Sequence, residues 1–536
     1  MSTKKKKCFS KCRKKSENDC GPKICKYIKG KKHQYCRLGY KYKMDEKCNI
    51  TKRKIKNNLT KKQARLNINA FLNKTRKNKT KKSKTPNNNL AANKIQMANK
   101  IQNFFKKKRM KIKSLFLQSI CSDSGVCLAF GKKTNEIKEF FNNFIHFKHT
   151  NDTMKQIGVG SENGFVNEIT YVREKYTAHS IIKSSSRNSA DNLFYEYLCG
   201  LVINSWCTRF PCFLETYGLY EYQDEYTWNK VKDNKTTNIN AVKKYMTLLS
   251  NDSINIDSDS FNKILMKSCL NSKYIAIMIQ HIKNAKTLYD FFLEQTNKHI
   301  FVNNQLVAIL FQVYFALHVL KDNFTHYDLH IENVLIYQPN QNGYIHYHYV
   351  LLNGNTISFK SPYMAKIIDY GRSFFKHESK ENFKSDNIYD IICKEKECNN
   401  CGVNVGYKWL TKTSALHRQY YTHSVVSNRS HDLRLLNDLI DVFDSYNLDS
   451  RKHNAPSSLY FNVIGILQYN TTYGTPEMKN NGYPNVIQTV TDAFTALSNL
   501  LVNPDFIQQN EVENENLVKM GDLYIYENNR PMKFNN

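Results

Sequence analysis

The 536-residue chain carries 80 Lys and Arg against 46 Asp and Glu, a formal charge of +34. Residues 1–120 hold 39 of the basic and four of the acidic residues, which leaves 41 and 42 for residues 121–536. The first stretch is too polar to bury a core, and its charged start excludes a secretory signal peptide.

The length suits one or two domains plus tails. Residues 1–110 read as a basic, Cys-containing, largely disordered tail. Such a tail attracts polyanions (DNA, RNA, anionic lipid or acidic protein) without reading a sequence. A solubility role and a nuclear-localisation signal at Lys4 to Lys7 or Lys106 to Arg109 stay open beside that reading. Cys8, Cys12, Cys20, Cys25, Cys36 and Cys48 could bind zinc or form disulfides, but no paired C-x-x-C occurs. In a reducing cytosol free thiols are the default. Ala98 to Arg109 is similar to part of an IQ motif, the basic amphipathic helix that calmodulin-like proteins clasp; a basic helix packed on the chain's own body fits as well. Residues 111–150, with Phe116, Ile120, Phe130, Phe140, Phe141 and Phe144, should form a helical extension packing on the body that begins near residue 151.

Ile157 to Val166 reads I-G-V-G-S-E-N-G-F-V, with glycines at 158, 160 and 164. Ile181-Ile182-Lys183 comes next as a strand end, and Ala190 to Leu198, containing Glu196, as a helix. Residues 223–272 are polar, rich in Asn, Asp and Ser, and read as an insertion. Tyr274 to Ile279 is an apolar run of strand length that ends at Gln280-His281-Ile282. Thr287 to Glu294 and Val302 to Leu320 have helical spacing. The second is long and apolar, but Gln305, Gln312 and His318 make it a core helix, so no transmembrane segment is expected.

Two motifs then carry the chemistry. His326-Tyr327-Asp328-Leu329-His330-Ile331-Glu332-Asn333 reads H-x-D-L-x-x-x-N and runs into Val334-Leu335-Ile336. Ala365 to Gly371 is an apolar strand ending in D-Y-G. One short loop thus supplies a carboxylate to take a hydroxyl proton and an amide oxygen for Mg²⁺. Between them, strand-forming runs on either side of Asn353-Gly354 predict an inserted β-hairpin between Gln338 and Pro362. Cys393, Cys398 and Cys401 form C-x4-C-x2-C. With His377, His417 or His423 they suit zinc, or they are loop cysteines.

Over residues 150–505 these strings resemble the protein-kinase family, nearest in flavour to serine/threonine kinases of large nucleocytoplasmic DNA viruses. The resemblance implies an α+β, bilobal protein-kinase-like fold in residues 151–505, with a C-terminal tail over 506–536. It implies ATP and Mg²⁺ as cofactors, a protein hydroxyl as acceptor, and a place in the host cytoplasm or virion. Gly158, Gly160, Gly164, Val166, Lys183 and Gln280 would bind the nucleotide. Glu196 would pair with Lys183, with Ile279 as gatekeeper. Asp328 would be the catalytic base, Asn333 and Asp369 the metal ligands, and Asp432 the aspartate bracing the catalytic loop. His330 stands where these enzymes carry a lysine, and a charged imidazole there would face the γ-phosphate. No A-P-E follows Asp369. Both departures also resemble small-molecule phosphotransferases, which stay as the alternative. A pseudokinase anchored to nucleic acid by the tail is the non-catalytic alternative.

Overall fold

The glycine-rich turn after residue 157 and a second turn at Glu174 (φ +57°) divide residues 150–185 into three strands that lie side by side. β1 (Thr150–Ile157), β2 (Gly164–Arg173) and β3 (Tyr176–Ser185) pair antiparallel in sequence order. The computed structural model describes residues 133–158, 164–174, 176–188, 193–251, 258–394, 424–446, 487 and 489–535, with the backbone of short strand segments outside these. Residues 1–102 and 103–536 form two separate units. In the first, Cys25–Lys29 pairs antiparallel with Gln34–Leu38, and Tyr42–Met44 with Ile50–Lys52. The rest of that unit, with the expected disorder, the IQ-like stretch and most of its cysteines, lies outside the described residues.

The second unit is a mixed α+β body. Its larger sheet has seven antiparallel strands in the order β5-β1-β2-β3-β7-β4-β6, where β4 is Thr216–Tyr222, β5 Thr236–Asn238, β6 Met246–Ser250 and β7 Ile275–Gln280. Helix α1 (Lys133–Phe140) and the turn after it cover this sheet. Phe144 stacks on Tyr217 at 4.5 Å and meets Tyr171 edge-on at 5.0 Å. Lys138 reaches Glu215 at 3.2 Å. The expected helical extension is therefore one helix and a turn, preceded by a short hairpin pairing Ser119–Cys121 with Cys127–Ala129.

Residues 223–272, the expected polar insertion, are built of regular elements. They form α3 (Glu225–Asp233), the edge strands β5 and β6, and α4 (Asp259–Leu270). Trp228, Val231, Ile239, Val242, Phe261 and Leu265 are buried. Asp224 and Ser258 cap the two helices by accepting from Thr227 N and Phe261 N.

Helix α2 (Leu193–Trp206) and helix α5 (Gln305–Val319) run through the main apolar core. α5 is apolar on every side, as a helix enclosed by protein should be. The stretch Lys298–Val319 is long and apolar enough to cross a membrane by composition, yet it lies inside the body. The polar residue in the middle of α5 is satisfied. Gln312 donates to Tyr363 O at 3.2 Å and accepts from Ala365 N at 3.0 Å. Beyond α5 come β8 (Val334–Tyr337), β9 (Gly343–Val350), β10 (Thr356–Ser361) and β11 (Met364–Ile367). β8 and β11 pair antiparallel, while β9 and β10 are the expected hairpin, turned at Gly354 (φ +85°).

After α6 (Ser385–Lys394) and α7 (Arg434–Ser445) the chain returns through α8 (Val490–Leu501) and α9 (Pro504–Asn514). Residues 506–536, expected as a tail, then form β12 (Val518–Tyr526) and β13 (Lys533–Asn535). β12 lies parallel to β9 and completes a sheet in the order β10-β9-β12-β13. Leu523, Ile525 and Phe534 are buried there, which is why the segment docks.

Candidate active site

Lys183 on β3 lies opposite Val166 on β2. Its Nζ is 2.7 Å from Glu196 Oε2 and 2.7 Å from Asp369 Oδ1. Glu196 sits in the first turn of α2 and is buried. Asp369 comes just after β11, and its side chain is 41% exposed, the open member of the three. One ammonium therefore ties sheet, helix and the D-Y-G turn together. Partial desolvation would raise the Asp369 pKa, but the charge and hydrogen bond of Lys183, and then Arg372, hold it at about 2. Behind Asp369, the buried Tyr370 donates to Ile367 O at 2.7 Å and accepts from Leu214 N at 3.1 Å.

The loop 326–333 is pinned from several sides. His326 bonds Ile368 O through Nε2 at 2.9 Å and accepts from Asp328 N through Nδ1 at 3.2 Å. A carbonyl can only accept, so the ring carries its proton on Nε2. Burial lowers its pKa, in keeping with that neutral form. Asn333 donates its side-chain Nδ2 to Asp328 O at 2.9 Å. That bond engages the donor end of the amide and leaves Oδ1 as an acceptor.

Tyr327 has φ +62°, a left-handed backbone that costs a bulky residue about 1–3 kcal/mol and persists only where neighbours impose it. Asp432 imposes it. Its Oδ2 accepts from His326 N at 2.8 Å and its Oδ1 from Tyr327 N at 3.0 Å. Burial pushes its pKa up to about 7, the two amides and Arg434 pulling the other way. Asp432 lies in the turn His431–Leu433 just before α7, where Tyr314 donates to its carbonyl at 2.9 Å. Asp432→Ala should cost about 3 kcal/mol, since two buried amides lose their acceptor. Urea unfolding checks this, and a loss under about 1 kcal/mol would show that the loop holds itself.

Asp328 lies between two guanidiniums. Arg372 Nη1 donates to Oδ2 at 3.0 Å and Arg434 Nη1 to Oδ1 at 2.7 Å. Burial would raise its pKa, but Arg372 and then Arg434 outweigh that and lower it. The carboxylate is thus kept ionised, with a second lone pair on each oxygen for an incoming hydroxyl. Neither arginine stood out in the sequence. Arg372 directly follows the D-Y-G, and Arg434 lies two residues past Asp432, so adjacency was the signal to use.

The glycine-rich turn is described only at its ends. Gly158 has φ +66° at the close of β1, and Gly160 lies outside the described residues. Gly164 must be glycine, because a Cβ there would meet Ser184 O at 2.8 Å. Gln280 ends β7 with its amide N–H bonded to Glu215 O at 2.7 Å and its side-chain Oε1 accepting from Glu215 N at 3.4 Å. Nearby, Glu168 gathers His281 at 3.3 Å and Lys283 at 3.2 Å. The hydrogen bond from His281, then Lys283, hold it at about 2 against its burial. Cys398, Cys401, His417 and His423 lie outside the described residues, as does the side chain of Cys393.

His330 was expected as a charged group facing a bound phosphate. Its Nδ1 accepts from Glu332 N at 3.3 Å, which an imidazolium cannot do. Burial, outweighing the pull of Asp328, lowers its pKa to about 4. The ring is therefore neutral at physiological pH. Because the folded-state pKa lies below the free value, protonation sets in only well below about pH 6. The pH–rate profiles of the wild type and His330→Gln should run parallel from about pH 5.5 to 8. A limb near about pH 6.5 that glutamine removes would restore the charged role.

No family model matches this sequence, and no curated protein matches it. Among solved structures, WaaP in complex with acyl carrier protein is similar at 9% identity and a TM-score of 0.21, over 49% of this chain and 78% of that one. A likeness of that size carries no argument.

Proposed function

We propose that the chain is an ATP- and Mg²⁺-dependent phosphotransferase whose acceptor is a serine or threonine hydroxyl of a protein, within the bilobal kinase architecture that its motifs resemble. The observation that carries this reading is the bridge of Lys183 between Glu196 and Asp369, 2.7 Å on each side, beside an Asp328 loop held by Asp432. Three separate strings of sequence converge there, and phosphoryl transfer needs positioning and charge stabilisation more than covalent chemistry.

Asp369 and the Asn333 Oδ1 are hard oxygen donors of the kind Mg²⁺ prefers, and when bound the ion would neutralise phosphate charge. Lys183 orients the phosphates, and Glu196 orients Lys183. Asp328 receives the acceptor's proton as the new P–O bond forms and the bond to ADP breaks. Its depressed pKa suits a base that aligns the hydroxyl and takes the proton late.

A small-molecule acceptor is the second reading, favoured by the neutral His330 where protein kinases have lysine. A screen with γ-labelled ATP against proteins and small hydroxyl compounds separates the two. Label on protein supports the first reading and label on a small compound the second. ATP bound with no label moved in any mixture would contradict both.

A further inference from the structure

On β9 the side chains alternate. Ile345, Tyr347 and Tyr349 are buried on the inner face, which puts His346 and His348 together on the outer one. β12 lies alongside in parallel register, with Asp522 opposite His346. β10 flanks the other side, with Ser358 opposite His348. The two rings are 4.1 Å apart, centroid to centroid. His348 Nε2 is 2.9 Å and His346 Nδ1 3.4 Å from the same Asp522 Oδ1. The ligand atoms of all three residues lie within 4.8 Å of one another.

We propose that His346, His348 and Asp522 form a divalent-metal site of zinc type that joins the inserted hairpin to the C-terminal strand. Donors on tetrahedral zinc, at bonds of roughly 2.0–2.1 Å, stand about 3.3 Å apart, so small side-chain rotations close this set around an ion. Two imidazoles and one carboxylate select zinc over Mg²⁺, which prefers oxygen alone. The supports are built. Ser358 Oγ lies 2.9 Å from His348 Nδ1 and can accept its proton, which frees Nε2 for the metal. Tyr524 stacks on the same ring at 4.6 Å. Water completes the fourth position. Lys519 Nζ, 2.8 Å from Asp522 Oδ1, is the cation the metal must displace, and its half-exposed side chain can swing into solvent. The site is built from other residues than Asp369 and Asn333, so the proposal stands apart from the phosphotransfer reading.

The test is Zn²⁺ binding by the full chain, because the cysteine-bearing segments could hold zinc of their own and only a difference is informative. The His346→Asn/His348→Gln double variant should bind one zinc fewer per chain than the wild type by metal analysis after dialysis. Zn²⁺ should raise the wild-type melting temperature by more than it raises the variant's. Lys519→Ala should bind several-fold more tightly, a gain that a merely structural His–Asp cluster would not give. Should the double variant fail to fold, Asp522→Asn and Lys519→Ala carry the comparison. Co²⁺ bound at this site should lack thiolate charge-transfer absorption. Equal zinc content in wild type and variants, with an unchanged response to Lys519→Ala, would overturn the proposal.

Discussion

Asp369→Asn is expected to lower Mg²⁺-dependent ATP turnover by on the order of 10³-fold, the loss expected when charge stabilisation worth several kcal/mol leaves a phosphoryl-transfer site. The carboxylate has two tasks. One oxygen pairs with Lys183 at 2.7 Å, and the partly exposed remainder is open to the proposed ion. Asparagine keeps the shape and loses the charge. Lys183 retains Glu196, so the body should stay folded. Steady-state kinetics at rising Mg²⁺, with a thermal melt as control, measure the effect. Turnover near the wild-type level at saturating Mg²⁺ would remove Asp369 from the metal role.

Asp328→Asn should lower turnover by roughly 10²–10⁴-fold, the range for a positioned general base, while ATP affinity stays within a few-fold of wild type. The separation is expected because Asp328 meets Arg372 and Arg434 and not the Lys183 group. An amide oxygen can still take one guanidinium, so the fold should tolerate the change. Equal losses of binding and turnover would make Asp328 a structural anchor.

Chain distance decides how much of the site and fold is legible in the sequence. Asp328 and Asn333 share one loop, so spacing alone places them together. Asp369 ends an apolar strand, and Glu196 lies on the helix after Lys183, so local pattern again suffices. Asp432 was legible through its place ahead of α7. The Arg372 and Arg434 clamp was not read, because adjacency to the D-Y-G and to Asp432 marks each arginine singly and does not say that both turn to one carboxylate. The sequence could not weigh the state of His330, because burial and the Glu332 amide are properties of the folded loop. Within the insertion 223–272 the composition hides the helices. Trp228, Val231, Phe261 and Leu265 are spread thinly among polar residues, yet they suffice to bury two helices. β12 was missed for another reason: its partner β9 lies far back in the chain, and a parallel pairing leaves no turn signal.

The central claim is that the group around Lys183 and Asp369 delivers the γ-phosphoryl of ATP to a hydroxyl. Its most direct test tracks label from γ-labelled ATP with the purified full-length chain, Mg²⁺ and a mixture of protein acceptors. Label in a phosphoserine or phosphothreonine ester, lost with EDTA and in Asp369→Asn, is the predicted result. Saturable ATP binding with no label leaving ATP, in a folded wild-type protein across the acceptor panel, would contradict the claim.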